Sequence, residues 1–350
     1  MSGGSRVGYD AGVPVRYDAI LLVSFGGPEG MDDVMPFLAN VVRGKNVPQE
    51  RLVEVAARYR HFGGVSPIAA QCRALVAALR TELERHGDGL PVYWGNRNWH
   101  PLLADTLRQM AADAVSRALA LFTSAYGSYS GCRQYLEDIE RARAEVGERA
   151  PQIDKLRAFY NHPGFIEPLV ELVAAAFERI PEARRAAARL VFTAHSLPRA
   201  LAAACDYEAE LRDTAALVAF PLGRTQHSLV YQSRSGPPSQ SWLEPDIVDH
   251  LRALAREGVR DVVVAPIGFL SDHMEVVYDL DLEAKARALE LGLNIVRAAT
   301  VGTHPRFVAM IRELIVERTR GDTLRLHLGT RGPAPDECPP GCCRVPRSGA

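Results

Sequence analysis

The chain has 350 residues, enough for two modest units or one large one. Its 41 Lys and Arg against 42 Asp and Glu leave a net charge of -1, which gives no general attraction to nucleic acid or an anionic membrane. No window approaches about 18 consecutive apolar residues, which excludes a spanning helix. The polar, Gly-rich residues 1–16 lack the apolar core of a signal peptide and read as a frayed arm, so the expectation is a cytoplasmic protein.

Ala19-Ile-Leu-Leu-Val-Ser-Phe25 is a short apolar run ended by Gly26-Gly-Pro-Glu-Gly30, the pattern of a buried strand meeting a turn, with a helix from about Asp32. The glycines lack the spacing of a dinucleotide fingerprint, so no NAD is inferred. A helix over Gln49 to His61 is broken by Gly63-Gly64, and Pro67 opens the next one, Ile68 to His86. A strand, Leu90 to Trp94, follows, then a polar loop at 95–101, a helix at 102–113 and a strand from Ala118 to Thr123. Another polar loop, Ser124 to Gly131, leads to a helix from Arg133 to Val146. Strands separated by helices of this length imply a parallel sheet with right-handed crossovers.

Composition breaks at Gly147 to Pro163, and the alternation then resumes. Helices are expected at 166–179, 199–218, 246–257 and 304–319, with strands over Arg189–Thr193, Leu229–Gln232, Asp261–Ile267 and Asn294–Ala298. The reading is α/β, with two similar halves flanking a cleft: an arm at 1–16, halves at 17–160 and 161–320, and a tail at 321–350. The tail has little apolar periodicity, and only its cysteines argue for order.

The segment after the strand ending at Ile267 is read as a helix capped by Ser271 or Asp272. Glu275, Asp279 and Glu283 then stack at i, i+4 and i+8 on one face, with no Lys or Arg interleaved. A solvated acidic face is one reading. Position favours the other, a path for a cation, because open α/β sheets place ligands beyond their strand ends. His195 falls at such an end, after Leu190-Val-Phe-Thr-Ala194. Facing Glu275 across the cleft, it would suit proton transfer near neutral pH or transient binding of a divalent metal.

Of the 6 cysteines, Cys72 and Cys205 lie in Ala-rich helical segments and read as small buried thiols. Cys338, Cys342 and Cys343 lie in a Pro/Gly-rich stretch that cannot bury them as core. Adjacent cysteines pair only with strain, so a metal or iron–sulfur site needing one more thiolate is the better reading.

Five stretches together resemble the ferrochelatase family: Leu22-Val-Ser-Phe-Gly-Gly-Pro28, Arg58-Tyr-Arg-His-Phe-Gly-Gly-Val-Ser-Pro67, Thr193-Ala-His-Ser-Leu-Pro198, Gln232-Ser-Arg-Ser-Gly-Pro237 with Trp242-Leu-Glu-Pro245, and Pro266 through Asp281. The resemblance runs from about Tyr17 to Glu317. It implies two similar Rossmann-like domains with parallel four-stranded sheets flanked by helices, and a porphyrin held in the cleft between them. The activity it implies is insertion of ferrous iron, as substrate, into a porphyrin during haem biosynthesis. His195 and Glu275 become the facing catalytic pair, with His195 accepting pyrrole protons. Glu275, Asp279 and Glu283 then deliver metal and let protons out.

Arg43, Arg58, Tyr59, Ser66 and Tyr135 are the implied donors to propionates, arginine offering a fork that matches a carboxylate. Many bacterial members carry Tyr where this chain has Phe25, so an axial oxygen ligand from that position is excluded. The tail is similar to a branch in high-GC Gram-positive bacteria that carries a [2Fe–2S] cluster. That implies Cys338, Cys342 and Cys343 as ligands, with Cys132 favoured over Cys205 as the fourth. The same branch points to coproporphyrin III over protoporphyrin IX, and to transient contact with neighbouring haem-pathway enzymes. The competing functions are a cobalt or nickel chelatase of the same fold and a non-catalytic tetrapyrrole carrier.

Overall fold

A computed structural model describes residues 15–236, 239–321 and 324–345; the expected N-terminal arm falls, but for residues 15 and 16, outside them. Strands β1 (Ala19–Ser24), β2 (Val92–Asn96), β3 (Arg117–Phe122) and β4 (Gln152–Lys155) form one sheet, ordered β2-β1-β3-β4. Strands β5 (Arg189–His195), β6 (His227–Gln232), β7 (Asp261–Ala265) and β8 (Asn294–Arg297) form a second, ordered β6-β5-β7-β8. All the pairings are parallel. Every residue of β1 and β7 is buried, as expected where helices cover both faces. Strand β4 lies inside the composition break at Gly147 to Pro163. Its Gln-Ile-Asp-Lys sequence is polar and half-exposed at an edge, so it carries no apolar signal.

In each sheet the chain moves to one side and then the other of its first strand. This leaves a topological switch point between β1 and β3, and another between β5 and β7. One core joins the halves: Ile20, Leu22, Phe192 and Val263 of the sheets pack with Leu79 of helix Ile68–Arg85, Phe165 of helix Pro163–Glu178 and Phe307 of helix Pro305–Arg320. A smaller cluster combines Val34 and Phe37 of α1 (Met31–Val41), Leu52, Ala56 and Tyr59 of α2 (Gln49–Arg60), and Met274 from the segment after β7. It brings the first two helices against the acidic residues of the other half.

That acidic segment is not the single α-helix expected. A short α-turn, Met274–Val276, passes into a π-helix, Val277–Ala284, and then into an α-helix, Lys285–Glu290. The π-turn is wider, so the acids are spaced around it differently from an α-helical stack; such turns gather at functional sites. The tail is held by more than its cysteines. Arg157, 2% exposed, gives Nε and Nη2 to the two Glu317 carboxylate oxygens at 2.8 and 2.9 Å and Nη2 also to the Leu326 carbonyl at 2.8 Å. Asn161 accepts from the Leu328 N–H and donates to the Gly332 carbonyl, each at 2.8 Å. Among the described residues, no helix is long and apolar enough to cross a membrane.

Candidate active site

His195 ends β5. Its Nδ1–H donates to the Ser196 carbonyl at 2.5 Å, which turns Nε2 toward Glu275 Oε2, 3.4 Å away. The strand tip is fixed from several sides: the Tyr207 hydroxyl donates to the His195 carbonyl at 3.1 Å, Ser196 N–H to the Gln232 carbonyl at 2.8 Å, and Ser196 Oγ to the Leu243 carbonyl at 2.9 Å. Glu275 arrives because the chain leaving β7 crosses directly over β5. At Gly268 a Cβ would lie 2.7 Å from both Cα and Cβ of Ala194, so only glycine permits the crossing. Gln232 Nε2 then donates to the Glu275 carbonyl at 3.1 Å.

Burial pulls the His195 imidazolium down, but the Glu275 carboxylate and its hydrogen bond outweigh that and lift the imidazole to about 9. Burial likewise raises Glu275, yet His195 and, behind it, His273 and Arg58 draw it down to about 2. At neutral pH the two form an ion pair holding one proton. Their side chains are 31% and 49% exposed, open to a ligand in the cleft.

Asp279 sits deeper, 5% exposed. Burial lifts it to about 7 against a hydrogen bond from Ser233, and the charges of Glu275 and Glu283 add to the rise. Arg58 Nη1 lies 3.8 Å from Asp279 Oδ1, its guanidinium 4.8 Å above the Tyr278 ring. Tyr59 is buried, and burial with the Glu275 charge pushes its phenol up. Glu283 is exposed at the outer end of the row. Among the described residues no three His, Cys, Asp or Glu side chains converge as a cage for an ion.

A family model described as ferrochelatase matches residues 17–319. The chain belongs to the ferrochelatase family. These enzymes are lyases. A ferrochelatase of Rhodopirellula baltica is 54% identical over 328 residues, covering 93% of each chain. A coproporphyrin III ferrochelatase of Streptomyces griseus is 52% identical and covers 96% of each. One of Nocardia farcinica is 53% identical over 94% of this chain and 97% of its own. Among solved structures, SirB from Bacillus subtilis with Fe3+ superposes with a TM-score of 0.55 at 12% identity, over 88% of this chain and 98% of that one. That likeness shows the chelatase fold.

The residues that the ferrochelatase resemblance assigns to propionates are not all gathered. Arg58 and Tyr59 face the acidic row. Ser66 is buried at the turn that receives Gly27, its N–H donating to the Pro28 carbonyl at 2.9 Å. Arg43 is exposed beyond α1 and bonds to Asn40 Oδ1. Tyr135 is 5% exposed, its hydroxyl 3.4 Å from Thr123 Oγ1 and its ring covered by Arg97 at 4.5 Å. Phe25 is a half-exposed ring 6.2 Å from Phe37.

The 6 cysteines are free thiols. Cys132 lies in a π-turn, Tyr129–Arg133, and hydrogen-bonds Cys338, which also reaches Cys342. Cys342 and Cys343 sulfurs are 3.3 Å apart, and Cys343 meets Cys205. Cys205 is therefore not the isolated core thiol expected from its Ala-rich surroundings. Cys72 is, buried with its sulfur donating to Ser24 Oγ at 3.3 Å. Bonding to Cys132, with Lys155 close by, draws Cys338 down to about 5, so it favours the thiolate form a metal ligand needs. Sequence reading passed over Ser233, Tyr207 and Lys155. Ser233 lay inside a quoted motif, while the other two gave no signal.

Proposed function

We propose that this ferrochelatase inserts ferrous iron into coproporphyrin III, giving iron-coproporphyrin III (coproheme) for haem biosynthesis. The observation that carries the reading is the facing pair, His195 Nε2 and Glu275 Oε2 at 3.4 Å, at the switch point between β5 and β7. Close relatives are named coproporphyrin III ferrochelatases, which supports the choice of porphyrin.

The reaction removes two pyrrole N–H protons while a dication sheds water and enters the ring plane. A planar macrocycle shields its nitrogens, so a site complementary to the transition state holds a bent ring. Asp279 and Glu283 pass iron inward to Glu275. The resting pair keeps His195 protonated, so His195 cannot accept a pyrrole proton until that pairing is weakened. A dication at Glu275 does this: it neutralises the carboxylate whose charge holds the proton, and His195 falls back toward its ordinary range as a base. Arg58 and Tyr59 supply donors for a propionate on the facing side.

The test is a continuous assay with ferrous iron and each porphyrin. Coproporphyrin III should turn over faster; equal or faster turnover of protoporphyrin IX would overturn the substrate, and cobalt or nickel outpacing iron would overturn the metal. A carrier predicts that His195→Ala leaves iron incorporation at the wild-type rate.

The tail thiols fit a [2Fe–2S] cluster in donor chemistry, which asks for four thiolates. We assign Cys338, Cys342, Cys343 and Cys132, with Cys205 as the alternative fourth ligand. Such a cluster has redox capacity, but here its part is to cross-link the tail to the sheet-bearing halves. Purified protein should be red-brown, with that absorption lost in Cys342→Ser; a colourless, zinc-loaded preparation refutes the assignment.

A further inference from the structure

Strand β6 ends at Gln232, and the next residue, Ser233, has φ +64°. That is the left-handed region, where a side chain clashes with its own backbone and glycine is the usual occupant. A residue held there with its Cβ intact, beside a functional site, calls for a compensating contact. Ser233 has one: its hydroxyl donates to Asp279 Oδ2 at 2.5 Å.

The preceding residue makes the parallel contact. Gln232 Nε2 holds the Glu275 carbonyl, so two consecutive residues of one strand tip grip the segment one turn apart. Asp279 is thereby divided in function. Oδ2 is occupied by Ser233, while Oδ1 is turned toward Arg58 at 3.8 Å. A carboxylate that is 5% exposed cannot rely on water to set its orientation, so the hydroxyl fixes which oxygen is left unbonded on the side of Arg58.

We propose that Ser233 is a positioning residue for metal delivery, its hydroxyl holding Asp279 so that one oxygen stays presented to an incoming divalent cation. The inference rests on the iron-insertion reading above and deepens it. A direct contact between Ser233 and a porphyrin propionate is disfavoured, because the hydroxyl's single proton is already committed to Asp279.

Two variants separate the hydroxyl from the backbone strain. Ser233→Gly removes the hydroxyl and accepts φ +64° without cost, whereas Ser233→Ala removes it and keeps the strain. Each is assayed for iron insertion with ferrous iron and coproporphyrin III varied in turn, and for coproporphyrin III affinity by fluorescence quenching. Loss of a hydrogen bond to a charged acceptor should raise KM for iron about tenfold in both variants. Porphyrin affinity and kcat should stay within about twofold of wild type. An unchanged KM for iron in Ser233→Gly overturns the proposal, whether or not Ser233→Ala is impaired, and so does weakened porphyrin binding at unchanged iron KM. Wild type failing to insert iron would instead overturn the function on which the inference rests.

Discussion

Replacing Glu275 by Gln keeps the size of the side chain and a hydrogen-bonding oxygen while removing the charge opposite His195. In the wild type that charge, 3.4 Å from Nε2, is what holds the imidazole at about 9. Without it, burial still pulls His195 down and the more distant Asp279 gives only partial support, so the imidazole should fall to about its unperturbed 6.5. At pH 7.5 the protonated fraction then drops from about 97% to about 9%, a change from a stored proton to an available base. The assay is an NMR titration of the His195 ring in protein free of porphyrin and iron. The sign has a second readout. A histidine whose folded value is raised contributes stability that is complete below about 6.5 and is lost as pH rises through about 9. Wild type should therefore lose part of its thermal stability across that window, and Glu275→Gln should lose less. A His195 midpoint above 8 in the variant would refute the claim that Glu275 sets its protonation.

Glu210, 8% exposed, is lifted by burial to about 7 despite accepting the Gly127 N–H. A raised carboxyl favours the fold below about 4.5 and ceases to as pH passes 7, so Glu210→Gln should gain about 3 kcal/mol at pH 8 and nothing at pH 4, read by urea unfolding. Gly268→Ala sets a methyl 2.7 Å from Ala194 Cα, where the contact is backbone and cannot swing aside. It should cost about 1–3 kcal/mol and lower kcat, since the same crossing carries Glu275 to His195. Arg157→Met strands the Glu317 carboxylate in a buried site, and a loss of about 3–5 kcal/mol is expected in chemical denaturation, with the tail becoming protease-sensitive.

Much of the fold was legible because parallel strands covered on both faces must be apolar throughout, as β1 and β7 are. His195 and Glu275 were readable as a pair because each follows a strand end. The adjacency of β5 and β7 then places them side by side, a relation that sequence order alone does not state. Strand β4 escaped because an edge strand of Gln-Ile-Asp-Lys is held by its ladder to β3 and not by apolar burial. The π-turn escaped for a different reason. A helix that gains one residue per turn keeps almost the same apolar pattern over eight residues, so periodicity cannot separate it from an α-helix. The burial of Tyr135 was not legible, because it comes from Phe122 and Arg97, distant in sequence. The tail looked unanchored because its ties are single polar side chains, Arg157 and Asn161, gripping its backbone.

The two halves repeat one topology, and equivalent positions carry different chemistry. In the first strand of each sheet a residue three before a proline stands at the tip: Phe25 before Pro28, His195 before Pro198. One tip offers an apolar ring, the other a base. After the third strand of each sheet the chain makes a π-turn: Tyr129–Arg133 carries Cys132, and Val277–Ala284 carries Asp279. Turns of this kind are rare and gather at functional sites. In the second half the turn carries a buried acid, and in the first a thiol turned toward the tail. The tail runs from that thiol to Cys205, which lies far from Cys132 in sequence but two residues before Tyr207, whose hydroxyl donates to the His195 carbonyl. The string of thiols therefore begins on the π-turn of one half and ends two residues from the hydroxyl-bearing side chain that fixes the His195 strand tip of the other.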